Sequence, residues 1–390
     1  MRASRPVPTV YVATLHRPGS VLGGIQKHIN VFAEEAPRRG VSVRLLTPFH
    51  APKALWLGAF GAGKAFARIS GPFSAWWYER ARLTLLRRVL LARVPKDVPS
   101  ILYAQDPVST EAALALKGRG YPVQVVSAVH FNLSTADEWV GKGIITREGA
   151  LYRRMLARDA KVLPQADRLV FVSEFMRAQV TARIPAVANV PSQVIPNFVP
   201  GAPPPDPPPP VQADLLTIGT LEPRKNQAFI LRVLAEAHRR GYPYRLTVVG
   251  GGPSRGELER VTRELGLSDH VTFTGAVSNA SSLLHAHRAY VHASRMESFG
   301  IVLAEALAAG KPVFAAPIGG VPEVFTDGVE GVYWDLEDVG DAAQRLIQVL
   351  EDPARYAQMA AAAAARHAAY FSPEVVQGRL VEAVLGYKLE

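Results

Sequence analysis

The chain contains no cysteine, which excludes disulfide staples, thiolate metal sites and a cysteine nucleophile. It also has no apolar run long enough to span a bilayer. Its first hydrophobic patch, Val7 to Leu15, is broken by Pro8 and followed by His16 and Arg17, so it reads as a strand and not as a signal peptide. No Asp-x-Asp element follows a candidate strand, which argues against the usual carboxylate pair for a catalytic metal. These absences fit a cytoplasmic setting.

Length and order of elements supply the architecture. A chain of 390 residues exceeds the size at which one core stops growing, so two domains are expected. Gly201 to Pro210 contains seven prolines, which neither a helix nor a sheet interior accepts, and reads as a polyproline II spacer. Before it, short apolar runs at Thr9 to Thr14, Val41 to Leu46, Ile101 to Ala104, Val123 to Ala128, Leu169 to Val172 and Gln193 to Ile195 alternate with helical segments. After it, Leu215 to Gly219, Arg245 to Gly250, His270 to Phe273, Ala289 to Ala293 and Pro312 to Ala316 do the same. Strands apolar on both faces and separated by helices predict an α/β chain of two doubly wound, parallel-sheet, Rossmann-like domains facing across a cleft. The expected divisions are 1–200, a proline-rich linker 201–212, a second domain 213–372, and a C-terminal segment 373–390 with Val376, Leu380 and Val384 at helical spacing.

The most informative stretch is Glu297-Ser298-Phe299-Gly300-Ile301-Val302-Leu303-Ala304-Glu305, between the strand at Ala289 to Ala293 and the stop signals Gly310 and Pro312. It reads as a loop entering a helix. Ser298 is the expected N-cap, so the N–H groups of Phe299, Gly300, Ile301 and Val302 converge on an anion, best a phosphate. Glu305, about two turns on, is placed to hold a hydroxylated group beside it.

This run resembles the two-glutamate motif of family 4 retaining glycosyltransferases, and other segments match that family in order. They are Gly23-Gly24-Ile25-Gln26 near the N-terminus, His130 closing a strand, Ile195-Pro196-Asn197, Gly219 to Asn226, Val249 to Pro253, Phe273-Thr274-Gly275 and Gly319-Gly320-Val321-Pro322-Glu323. The resemblance implies the GT-B fold, with a nucleotide-sugar donor held mainly by the second domain, the acceptor by the first, and a C-terminal helix that returns to the first domain. It implies catalytic roles for His130, Glu297, Lys225 and Arg224. Gly23, Gly24, Ala276, Val277, Phe299, Gly300, Ile301, Val302, Glu305, Gly319 and Gly320 would bind the donor, and Gln26 the acceptor. Glu305 would take the ribose hydroxyls, and Ala276 and Val277 the base. The alternative for Gly319 and Gly320 is a simple tight turn before a helix, with Pro322 at the first helical position. Two positions depart from the pattern: Thr220 stands where many members carry arginine, with Arg224 the candidate to supply that charge, and Phe198 replaces a glycine.

Bond cleavage between a sugar and a nucleoside diphosphate leaves negative charge on the phosphate, which the Arg224 and Lys225 cations and a helix end would stabilise. The activity the resemblance implies is retaining hexosyl transfer from a donor of UDP or GDP type, with no cofactor and, because these cations and the helix end can do the neutralising, no metal. Two other readings remain open at this level: a nucleotide-sugar epimerase of related architecture, and a non-catalytic protein binding a sugar nucleotide or a membrane surface. Charge bears on the acceptor. Residues 1–200 hold 27 Lys and Arg against 12 Asp and Glu, whereas 201–390 hold 17 against 22. The basic excess peaks over Lys53 to Lys96, where aromatics are interleaved with Lys and Arg, and Leu83, Leu86, Val89 and Leu90 recur at helical spacing beside Arg82, Arg87 and Arg88. That pattern predicts an amphipathic basic helix, either an ordinary domain helix whose leucines face the core and whose arginines are solvated, or one that meets an anionic membrane and so favours a lipid-linked saccharide acceptor over a soluble one. Nucleic acid is not an expected partner.

Overall fold

The structure, a computed structural model, describes residues 8–18, 24–131, 134–141, 143–201 and 209–388. Gly23 and the greater part of the proline run lie outside the described residues. The chain forms two units, one of Met1–Pro196 with Gln377–Glu390 and one of Asn197–Val376.

The first unit is built on strands β1 (Thr9–Ala13), β2 (Val43–Leu46), β3 (Ser100–Ala104), β4 (Val123–Val129), β5 (Arg168–Phe171) and β6 (Ser192–Val194). The second is built on β7 (Ala213–Ile218), β8 (Leu246–Val249), β9 (Val271–Gly275), β10 (His287–His292), β11 (Val313–Ala315) and β12 (Gly331–Tyr333). Each set forms one six-stranded sheet, in the orders β2-β1-β3-β4-β5-β6 and β12-β11-β10-β7-β8-β9. All pairings are parallel. Every strand read from the sequence is present to within two residues at each end. The addition is β12, which follows the polar turn at Asp327 and Glu330 and opens on Gly331, a residue type depleted in strands.

Chain order reverses between β1 and β3 in the first sheet and between β7 and β10 in the second. In parallel α/β sheets, ligands collect beyond the carboxyl ends of strands at such reversals. The loops that follow β7 and β10 run through Lys225 and Glu297, so the second sheet places these two residues together by topology alone.

The second unit begins at Asn197, before the division read from the sequence at residue 200. Val199 explains the difference: its N–H donates to Phe371 O at 2.9 Å and its carbonyl accepts from His367 Nε2 at 2.8 Å. The helix Pro373–Leu385 carries the chain out of the second unit, and from Gln377 on it groups with the first. There Arg168 Nη2 donates to Val384 O and Leu385 O at 2.8 and 3.1 Å, and Arg379 Nη2 to Val194 O at 3.2 Å.

The basic aromatic stretch follows the first of its two readings, a domain helix whose leucines face the core. It forms a hairpin of helices Lys53–Ala67 and Gly71–Arg93. Leu83, Leu85, Leu86, Val89 and Leu90 of the second helix are buried in one core with Tyr11, Leu102 and Val125 of the sheet, so its apolar face is already covered. Arg82 is half-buried, Arg87 pairs with Glu111 at 3.0 Å, and of the three arginines only Arg88 is exposed. The aromatics fill the seam of the hairpin: Trp77 Nε1 donates to Ala59 O at 2.7 Å, and Phe66 packs edge-on against Phe73 and Trp77 at 4.9 and 5.2 Å. Aromatic and basic spacing could not distinguish a ring that faces lipid from one that faces a neighbouring helix.

Candidate active site

In the second unit, the loop after β7 passes through Gly219 to Glu222 into a single 3₁₀ turn, Pro223–Lys225, and Asn226 adopts a left-handed conformation (φ 51°) to start the helix Gln227–Arg239. The loop after β10 meets it, since the Arg295 N–H donates to Arg224 O at 2.8 Å. This cross-loop bond fixes Lys225 opposite Glu297. Lys225 Nζ lies 2.7 Å from Glu297 Oε2, and His292 Nε2 lies 3.2 Å from the same oxygen. Tyr290 continues the row, with its hydroxyl 3.3 Å from His292 Nδ1 and 3.2 Å from Ile218 O.

Electrostatics hold this row in one protonation state. Burial alone would push the Glu297 carboxyl up, but the Lys225 ammonium and the His292 hydrogen bond outweigh it and hold the group far below the ordinary carboxylate range. Burial pushes the His292 imidazole down, and the Lys225 and Arg224 charges add to that against the opposing pull of Glu297. Near neutral pH the row is therefore ammonium, carboxylate and neutral imidazole, with the His292 Nε2 proton donated to Glu297. His292 was not among the residues singled out from the sequence. Its signal was present, a histidine closing an otherwise apolar strand five residues before Glu297.

The helix carrying the second glutamate begins later than expected. It spans Ile301–Ala308, and its N-cap is Gly300 (φ 86°), not Ser298. A left-handed residue is needed there to turn the chain from the Glu297 loop into the helix, and glycine adopts it without strain. The N–H of Leu303 bonds Gly300 O at 2.9 Å, so the groups at the open end are those of Ile301 and Val302. Phe299 serves the core, packed edge-on to Phe371 at 5.7 Å. Glu305 is buried one helical face along, close enough to Tyr290 for its charge to be felt there together with that of Glu297.

Gly319 and Gly320 follow β11, and Gly320 touches the same loop. Gly320 N donates to Glu297 O at 3.0 Å, and a Cβ at Gly320 would stand 2.2 Å from Ser298 O. Gly320 is thus a support on which the Glu297 loop rests. The helix after it, Val321–Val324, is a single turn that starts at Val321, so Pro322 occupies its second position and not its first. Arg224 is engaged within its own turn, Nε lying 2.7 Å from Glu222 Oε1, which leaves Lys225 as the ammonium facing Glu297. Ala276 and Val277 are exposed beyond the end of β9. Among the described residues no group of three or more His, Cys, Asp or Glu is arranged to hold a metal ion.

In the first unit, His130 follows β4 and Gln105 follows β3, and His130 Nε2 lies 3.1 Å from Gln105 Oε1. Burial pushes the His130 imidazole down to about 4, with a further push from His16. Gln26 is buried on the helix Gly24–Glu35, where its Nε2 donates to Asn30 Oδ1 at 2.8 Å and its Oε1 has no partner among the described residues. Gly24 is the first residue of that helix. The depressed His130 value has a consequence for stability. The folded imidazole binds its proton only near pH 4 whereas the unfolded one does so near 6.5, so stability present above 6.5 is lost as pH falls through that window. His130→Gln is expected to remove roughly 3 kcal/mol of the acid sensitivity of the first unit. Urea midpoints of both chains at pH 7 and pH 4.5 measure it.

The family described as Glycosyltransferase Family 4 matches residues 22–200, and Glycosyl transferases group 1 matches 206–366. The chain is 33% identical over 233 residues to D-inositol 3-phosphate glycosyltransferase of Mycolicibacterium smegmatis, covering 55% of this chain and 51% of that one. It is 36% identical over 159 residues to the GDP-mannose-dependent alpha-(1-6)-phosphatidylinositol monomannoside mannosyltransferase of the same organism, covering 38% and 41%. The chain thus spans about half the length or less of these two relatives. In fold it is similar to Anabaena HepE, solved in complex with UDP, with a TM-score of 0.70 and 19% identity over 97% of this chain and all of that one.

Proposed function

Because the chain belongs to the family 4 glycosyltransferases of GT-B fold, we propose that it is a retaining, metal-independent hexosyltransferase acting in cell-surface glycan or glycolipid assembly. The donor in this reading is a nucleoside diphosphate sugar. The observation that carries it is the Lys225, Glu297 and His292 row at the strand-order reversal of the second sheet, beside the open helix end at Ile301 and Val302. A UDP or a GDP donor is supported by the two names above, one structure being of a UDP complex and one relative being described as GDP-mannose-dependent.

In this reading Lys225 and the N–H groups of Ile301 and Val302 face the diphosphate, and Glu305 accepts hydrogen bonds from the ribose hydroxyls. Glu297 orients Lys225 and contacts the donor sugar, and His130 lies on the acceptor side. The acceptor hydroxyl forms its bond to the anomeric carbon on the face from which the diphosphate departs. The sugar–phosphate bond breaks with its electron pair going to the phosphate, which also takes the acceptor's proton. Charge developing on that phosphate meets a fixed ammonium and helix end, so a divalent cation has no necessary part. Activity is expected to survive dialysis against EDTA.

The deciding experiment is NMR of the new linkage after incubation with UDP- and GDP-sugars and a panel of acceptors. The donor's anomeric configuration should be kept, and nucleoside diphosphate should appear much faster with acceptor than without. An inverted linkage, or donor converted without acceptor, overturns the reading.

A lipid-linked acceptor at the inner face of an anionic membrane completes the proposal. The name of the second relative, a phosphatidylinositol monomannoside mannosyltransferase, supports it. So does the helical hairpin, which exposes Leu57 and Ile69, 50% and 82% accessible, beside Lys64 and Arg68. No helix among the described residues is long and apolar enough to cross a membrane, so contact would be peripheral. Replacing Leu57 and Ile69 with serine is expected to reduce co-sedimentation with phosphatidylglycerol vesicles several-fold while leaving nucleotide binding unchanged. Vesicle binding absent from the parent chain would return a soluble acceptor.

A further inference from the structure

The first unit carries a groove of about 500 Å³ that the proposed chemistry does not use. Its walls are three helices: Gly71–Arg93, Pro107–Lys117 and Ala150–Val162. The floor is apolar, with Leu83, Val108 and Val162 buried and Leu114 half-buried, and Trp76 lies at its edge with the Arg154 guanidinium 6.0 Å from the centre of its ring.

Charge along the walls is not balanced. Five cations line the groove against two carboxylates, and each carboxylate already has a partner: Glu79 with Arg158 at 2.8 Å, and Glu111 with Arg87 at 3.0 Å. Arg158 is further compensated by Asp159 at 3.5 Å. Arg80, Arg154 and Lys161 remain, exposed and forming no ion pair among the described residues. Three uncompensated cations over an apolar floor demand a ligand with both characters. A compact, doubly charged head accepted by two guanidinium forks and an ammonium is a phosphate. The volume falls in the range of small-molecule pockets, whereas a protein partner needs an interface of ~1,000 Å² or more.

We propose that this groove binds one phosphate-headed aliphatic chain, its head held by Arg80, Arg154 and Lys161 and its chain lying on Leu83, Val108, Leu114 and Val162. The site is separate from the nucleotide-sugar chemistry and stands whether or not that reading holds.

Decyl phosphate, below its micelle-forming concentration, is the probe, followed by titration calorimetry on the whole chain. It should bind saturably with one site and about tenfold or more tighter than inorganic phosphate or decyl glucoside. The triple variant Arg80→Gln, Arg154→Gln, Lys161→Gln should lose at least that factor. Ala157→Trp places an indole into the groove from an exposed helical position without altering charge, and should abolish binding with melting temperature unchanged. Four results overturn the proposal: no saturable binding, inorganic phosphate binding as tightly as decyl phosphate, Ala157→Trp binding like the parent, and displacement by UDP, which would place the probe in the nucleotide site.

Discussion

Lys225→Ala is expected to lower kcat/KM by about 10³-fold and to weaken UDP or GDP binding, because it removes the fixed ammonium from a preorganised, water-poor site. It should also cost roughly 3 kcal/mol of stability. Lys225 Nζ is the 2.7 Å partner of a Glu297 side chain only 11% exposed, and without it that carboxylate is left to His292 alone. The pH dependence follows with a definite sign. Glu297 is held below its unfolded value, so its contribution is present above the ordinary carboxylate range and is lost as pH falls through the folded value. In Lys225→Ala the folded value rises, so acid unfolding of the second unit should begin at higher pH than in the parent. Calorimetric titration with UDP and GDP, together with melting curves from pH 3 to 8, measures all three effects. Full nucleotide affinity in this variant would remove the assignment of the donor site.

Gly320→Ala is expected to be damaging although it adds one methyl group and changes no charge. The new Cβ would stand 2.2 Å from Ser298 O, 2.9 Å from Ser298 C and 3.2 Å from Phe299 Cα, all backbone atoms that no rotamer change can move aside. The Glu297 to Gly300 loop must shift, and with it the Gly320 N–H bond to Glu297 O and the aim of the Glu297 carboxylate. A cost of about 3 kcal/mol and a fall of roughly 10 °C in the melting of the second unit are expected. Activity at temperatures where the variant stays folded should drop about 100-fold, since displacement of a positioned group by an ångström suffices for that. Gly256→Ala, whose added Cβ meets nothing within 4 Å, is the control and should match the parent. A Gly320→Ala chain with parental melting and turnover would show that the loop does not rest on this glycine.

Much of the fold was legible because most strands are short runs rich in β-branched and aliphatic residues and bounded by polar turns, as in Thr9–Ala13 or Leu246–Val249. Such strands are buried on both faces, and that alone requires helices to cover them. The two glutamates and the glycine pair were legible as motifs of fixed spacing. Where the helix between the glutamates starts was not, because Ser298 satisfies every local rule for an N-cap. What decides against it is the positive φ of Gly300, where the chain turns from the Glu297 loop into the helix.

The sequence by itself determined the parallel architecture, since that depends on periodicity within single segments, and its motifs resembled those of the family 4 glycosyltransferases closely enough to single out Glu297, Lys225 and Glu305 as candidates. Tertiary structure decided which charges meet. Lys225 and Glu297 lie 72 residues apart and are joined only because β7 and β10 are neighbours in the sheet. The same pairing brings in His292 and leaves Arg224 with Glu222. The basic hairpin shows the same limit: its spacing left a core-facing and a membrane-facing helix both open, and the adjacent sheet and helix decide for its leucines by offering a dry surface.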